Sequence, residues 1–139
     1  MNILSKWLSP KIRKVGFEDI KTAIDNPDKY IIINTLDITK QTCLIKNTIS
    51  IHVEEKTIND LIDNYETKRK IILIYGMNGT DDKPEIKYSQ LVSLGFEKIY
   101  VYTGGMFEWI LLQDIYGTAE FPTTYPILDI LQWKSPRIS

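Results

Sequence analysis

Cysteine is almost missing from this chain: Cys43 stands alone, and so does one histidine, His52. One thiol excludes an internal disulfide, and one Cys with one His leaves no zinc-ligand spacing. No metal and no cofactor is therefore expected, and cysteine scarcity fits a reducing, cytoplasmic setting. Long apolar runs are missing too. Nothing approaches the ~20 residues that span a bilayer, so no transmembrane segment is expected. The opening MNILSKWLSPKIRK lacks a signal-peptide core of about 7–15 apolar residues. Charge of one sign is scarce in excess: net charge is −1 and no basic face stands out. Phosphate neutralisation supplies most nucleic-acid affinity, so a general nucleic-acid binder is excluded. Neither an internal repeat nor a low-complexity tract is present.

What is present suits a single domain. The chain has 139 residues, 43% hydrophobic and 25% charged, enough for one core. It is organised around residues 70–109. Ile71, Ile72, Leu73, Ile74 and Tyr75 form a short apolar run, the mark of a strand covered on both faces. A loop at 76–82 leads to a helix with Asp82 as N-cap and Pro84 in its first turn. Ile86, Gln90, Leu91 and Leu94 recur at helical spacing, and Gly95 ends the helix left-handed. Residues 99–103 read as a second strand, followed by a Gly104-Gly105 turn. Two apolar strands joined by a helix make a parallel βαβ unit, whose functional crevice lies at the strands' carboxyl ends. Here that is loop 76–82.

The remaining elements flank this unit. Ile3, Leu4, Trp7 and Leu8 form an amphipathic lead expected to dock on its own domain in preference to a membrane surface. Phe17, Ile20, Ala23 and Ile24 have helical spacing up to Asn26-Pro27. Residues 30–35 form an Ile-rich strand and residues 49–51 a further short one. Thr57 looks like an N-cap with Asp60 three residues on, opening a helix through Ile58, Leu61, Ile62 and Tyr65 that the basic Lys68-Arg69-Lys70 ends. Residues 106–116 form a helix with apolar residues on more than one stripe, so wide burial is expected, with Trp109 in the core. The tail 119–139, with a short helix through Ile127, Ile130, Leu131 and Trp133, either covers the sheet or meets a partner.

A strand, a loop, a helix ending Leu91-x-x-Leu94-Gly95-Phe96, a strand and Gly104-Gly105-x-x-x-Trp109 together resemble a rhodanese-like domain. The resemblance covers about residues 12–118 and implies an α/β fold, a mostly parallel sheet with helices on both faces. It also implies sulfur transfer, or phosphate chemistry in the related phosphatases, through a loop cysteine held as a thiolate by converging N–H groups. Three departures from the family pattern stand out. Gly76 takes the cysteine's place after Tyr75. Asn34 and Leu36 stand where the family's second strand has a supporting acid and arginine. In residues 43–52, Leu44, Lys46 and Asn47 replace a family histidine, proline and glycine. The 76–82 loop also reads as longer than the family's.

Gly76 cannot be a nucleophile, and Met77, Asn78, Gly79, Thr80, Asp81 and Asp82 offer no substitute. Thr80 lacks an evident base, and Asp81 and Asp82 would repel an anionic substrate. Cys43 and His52 are the remaining candidates; their ordinary readings are a small buried thiol and a strand-end side chain. The expected protein is a catalytically inactive rhodanese-like module that binds or regulates a protein partner, through loop 76–82 or the tail. The enzyme alternative is a divergent sulfurtransferase or phosphatase using Cys43 or another nucleophile; a third reading is a scaffold component.

Overall fold

The computed structural model describes residues 11–127 and 129–138. The lead residues Ile3, Leu4, Trp7 and Leu8 lie outside the described residues. Four parallel strands form one sheet: β1 (Lys14–Val15), β2 (Tyr30–Asn34), β3 (Ile71–Tyr75) and β4 (Ile99–Tyr102), in the order β1-β4-β3-β2. Among the described residues four α-helices accompany them: α1 (Phe17–Asp25), α2 (Ile51–Asp63), α3 (Lys83–Ser93) and α4 (Gly105–Tyr116). The β3–α3–β4 unit is the expected parallel crossover, with Ile74 opposite Val101 and Tyr75 opposite Tyr102. Among the described residues no helix is long and apolar enough to cross a membrane.

Strand side chains alternate between two cores, as a period of two demands. Ile32, Leu73, Tyr75 and Tyr102 face α1 and α4, meeting Ile20, Ala23, Met106, Trp109 and Ile110. Ile31, Ile33, Ile72, Ile74, Ile99 and Val101 face α2 and α3, meeting Ile58, Leu61, Tyr88 and Leu91. Trp109 is fully buried, as expected, and donates its indole N–H to the Pro122 carbonyl at 3.1 Å. The tail packs on the first of these cores through Phe121 and Trp133, the latter in a 3₁₀ turn over Ile130–Trp133.

Several expected elements are placed differently. No strand forms at 49–51: Thr48 makes one bridge to Ile32, and the chain then turns into α2. Ser50 causes the turn, because its hydroxyl accepts the His52 N–H at 3.2 Å and caps the helix there. Thr57 is therefore inside the helix, its hydroxyl donating to the Val53 carbonyl. The helix also ends earlier, at Asp63, with Tyr65 exposed at φ 58° beyond it. Helix α3 buries Pro84, Tyr88 and Leu91, while Ile86 and Leu94 stay about half exposed. Helix α4 buries Met106, Trp109 and Ile110 and packs Phe107 and Leu112 against the same core, while Leu111 and Ile115 stay exposed. Lys14–Val15 adds an edge strand that no periodicity announced, since two residues carry none.

Candidate functional site

Loop 76–82 leaves the carboxyl end of β3 and reaches α3, as the βαβ pattern requires. Its backbone is held from below by the first turn of α4: Met106 and Phe107 donate their N–H groups to the carbonyls of Gly76 and Met77 at 2.9 and 2.8 Å. Such an approach needs Gly105. At φ 65° it lies in the left-handed region, and a Cβ there would come within 2.9 Å of backbone atoms of Gly76, Met77 and Asn78.

The loop's interior is filled by one of its own side chains. Asp81 Oδ2 accepts the Met77 N–H at 3.0 Å, and Oδ1 accepts the Lys83 N–H at 3.1 Å. Asp82 stands at the N-cap of α3 as expected, but its side chain makes no capping bond; Asp81, one residue before it, satisfies one of the helix's orphan donors instead. A carboxylate there is also favoured by the positive end of the helix dipole. It closes the space over Gly76, where an ideal Cβ would sit 2.3 Å from Asp81 Oδ2 and 2.8 Å from Pro84 Cγ.

Asn78 is buried and fully engaged. Its Oδ1 accepts the Thr80 N–H at 3.0 Å and the Thr80 hydroxyl at 2.7 Å, while Nδ2 donates to the Trp133 carbonyl at 2.7 Å. Thr80 Oγ1 also lies 3.1 Å from Ser135 Oγ. The tail therefore lies against the loop, and Thr80 has a structural partner in place of a base. Trp133 is 1% exposed, yet its indole Nε1 finds no acceptor among the described residues. Gly79 has room, with only the Thr103 carbonyl 3.7 Å from a Cβ position.

The other candidates sit elsewhere. Asn34 is buried at the end of β2; its Oδ1 accepts the Leu36 N–H at 3.0 Å and Gln41 Nε2 at 2.7 Å. Leu36 is buried beside it in the first core. Cys43 is 3% exposed in that same core, and burial pushes its thiol above the ordinary value, against a hydrogen bond with Thr123. Tyr75 takes the Ile45 N–H at 3.1 Å and lies 2.8 Å from Thr48 Oγ1; burial pushes its phenol up strongly. His52 is exposed in the first turn of α2, a helix position and not the strand end its neighbours suggested. No hydrogen bond among the described residues joins the Cys43 or His52 side chain to the loop. The structure thus brings 76–82 together with Gly105, Met106, Trp133 and Ser135, none of which local pattern could have linked, because their partners lie far away in sequence.

A model of the Rhodanese-like domain matches residues 19–112. Solved structures agree in fold at low identity. The BH2092 protein of Bacillus halodurans aligns with TM-score 0.59 and 22% identity over 82% of this chain and 78% of its own. The rhodanese-like domain of the Anabaena Alr3790 protein aligns with TM-score 0.54 and 17% identity, over 93% and 96%. A single-domain sulfurtransferase of Saccharomyces cerevisiae aligns with TM-score 0.54 and 13% identity, over 78% and 96%. No curated protein matches the chain.

Proposed function

We propose that this chain, which belongs to the rhodanese-like domain family, is a non-catalytic member that acts by binding another protein. The family has sulfurtransferase members, and their chemistry needs a thiolate in the loop after the third strand. Here Gly76 stands at that position. The observation that carries the reading is the Asp81 carboxylate, which takes the Met77 and Lys83 N–H groups and occupies the space a side chain at 76 would need. A loop that binds its own anion has no room for a persulfide, a thiosulfate or a phosphate at the same donors. Negative charge fixed there also opposes forming a thiolate.

Cys43 does not rescue the chemistry. A reactive cysteine needs exposure and an electropositive setting, whereas Cys43 is buried with its thiol pushed up. Neither an acid nor an arginine stands at Asn34 and Leu36, and Asn34 spends its amide on Gln41 and the Leu36 N–H. With Asn78 and Thr80 tied to Trp133 and Ser135, the tail packs directly against the loop.

A thiosulfate:cyanide sulfurtransferase assay beside a phosphatase assay tests the reading. Background rates are expected in both, for the native protein and for Cys43→Ala alike. Turnover that disappears in Cys43→Ala would replace this reading with the enzyme alternative. Turnover indifferent to Cys43 would overturn it as well, through another nucleophile.

A further inference from the structure

The fold is complete before the tail begins: β4 and α4 close it at Tyr116, and the family model ends at residue 112. The tail then divides into two halves held very differently. The near half is bonded into the domain. Phe121 is buried, the Pro122 carbonyl accepts the Trp109 indole and the Lys46 N–H, and Thr124 bonds to Leu44 and Thr42. Tyr125 and Pro126 are exposed. Beyond them, residues 129–138 have one fully buried side chain, Trp133, with Ile130 partly buried and Leu131 and Lys134 exposed. Among the described residues this far half has few ties to the domain. The Asn78 amide donates to the Trp133 carbonyl at 2.7 Å, Ser135 Oγ lies 3.1 Å from Thr80 Oγ1, and Lys40 Nζ lies 3.4 Å from the Gln132 carbonyl. The Trp133 indole N–H is buried without an acceptor among the described residues, which weakens the docked state relative to a fully satisfied one. The bonds that shape the far half, from the Leu131 N–H to Asp129 and from the Lys134 N–H to the Leu131 carbonyl, are local and survive undocking.

We infer that residues 129–138 form a strap that leaves the loop, and that the seat it vacates takes a segment of a partner protein carrying a tryptophan with Ser or Thr two residues on. The inference rests on the reading of the chain as a binding module and names what its loop takes. The occupant's chemistry is that of the segment already seated there, Trp133-Lys134-Ser135. Trp133 is covered to 1% exposure in the first core, against α4, so the seat has the size of an indole. Asn78 Oδ1 is held within the loop by the Thr80 N–H and hydroxyl, so Nδ2 keeps its direction when the tail leaves. That donor then requires a backbone carbonyl beside the aromatic, since a buried amide without a partner is costly. Tethering by a few residues past Thr124 gives the strap an effective concentration on the order of millimolar. A partner segment therefore competes against the chain's own tail, which acts as an autoinhibitory contact.

Exchange of indole protons in the native full chain tests the opening. Trp109 and Trp133 sit in the same core, one on the domain and one on the strap. The Trp133 Nε1–H should exchange with solvent roughly a hundredfold or more faster than that of Trp109, with little dependence on urea, because strap release exposes little surface. Exchange of both at one rate that rises with urea, as in global unfolding, would overturn the proposal. Fluorescence anisotropy with a labelled peptide of residues 129–139 tests the seat. Full-chain Trp133→Ala, whose seat is empty, should bind it about tenfold or more tightly than the native chain does. Adding Asn78→Ala should weaken that binding by about tenfold, and a peptide with its tryptophan replaced by alanine should not bind. A folded Trp133→Ala that ignores the peptide, or a peptide that binds as well without its tryptophan, would also overturn the proposal. Where Trp133→Ala folds poorly, peptide at roughly millimolar concentration should shift the Asn78 side-chain amide resonance of the native chain, and silence there would overturn it. A native dimer that Trp133→Ala dissolves would overturn the choice of occupant, which would then be a second copy. Thiosulfate turnover would overturn the binding-module reading and leave both of these readouts to decide the strap.

Discussion

Gly76→Ala tests the self-filled loop most directly. The added methyl would start 2.3 Å from Asp81 Oδ2, 3.1 Å from its Cγ and 2.8 Å from Pro84 Cγ. The carboxylate must retreat by roughly 1 Å to reach ordinary contact. That takes the Met77 N–H···Oδ2 bond, now 3.0 Å, past hydrogen-bonding range. A bond to a charged acceptor contributes about 1.5–3 kcal/mol, and crowding against Pro84 adds about 1–3 kcal/mol. The lower unfolded-chain entropy of alanine returns about 0.4–1 kcal/mol. The expected cost is about 2–5 kcal/mol, read as a fall in urea midpoint at constant slope. Asp81→Ala alone strands two loop N–H donors and should cost about 1–3 kcal/mol. Combined, the two substitutions should cost clearly less than their sum, because the methyl then enters space the carboxylate has vacated. A coupling of about 1–3 kcal/mol is expected. Additivity within about 0.5 kcal/mol would refute the claim that Asp81 fills the Gly76 site.

Other outcomes follow from the same geometry. A thiol introduced as Gly76→Cys should alkylate slowly beside the Asp81 carboxylate and much faster when Asp81→Ala is added, because a neighbouring negative charge raises a thiol's pKa; equal rates in the two backgrounds would count against the contact. Gly105→Ala should destabilise by about 2–4 kcal/mol, combining left-handed strain with the clash on loop backbone, and amide exchange should quicken across residues 76–80. Trp109→Ala should cost about 3–5 kcal/mol. Trp109→Phe should cost more than Trp133→Phe, since Trp109 gives up a hydrogen bond to Pro122 while the Trp133 indole has no acceptor among the described residues, and thermal melts would compare the two. Burial raises the Cys43 thiol above its ordinary value in the folded state, so the folded protein holds that proton more tightly than the unfolded chain. Its contribution is complete below about pH 8.5 and is lost as pH rises through the folded value. Urea midpoints should therefore decline above about pH 9, and Cys43→Ala should lessen the decline.

Much of this was legible in the residues. The run at 71–75 is apolar but for its closing tyrosine, and 99–103 is built of β-branched and aromatic residues, so both read as strands covered on both faces. Pro84, Gly95 and the Asn26-Pro27 stop act through local backbone preference, which is why α1 and α3 fall where expected. Asn47 adopts a left-handed backbone at φ 67°, which asparagine tolerates. The absence of a side chain at residue 76 was visible too. What closes over it was not. Asp81 reads from sequence as a charge that repels an anion, whereas in the fold it serves as the anion, because loop curvature turns its carboxylate onto the Met77 and Lys83 N–H groups. Ser50 took the start of α2 from Thr57 because two capping signals compete and only the sheet decides how far the preceding strand can pair. Tyr88 displaced Ile86 and Leu94 from the core because helical spacing marks candidate faces, and the angle at which α3 meets the sheet selects among them. The contacts of Asn78 with Trp133 and of Gly105 with the loop span 55 and about 27 residues. Such contacts have no local signature, since their energy comes from groups that only the folded chain brings together.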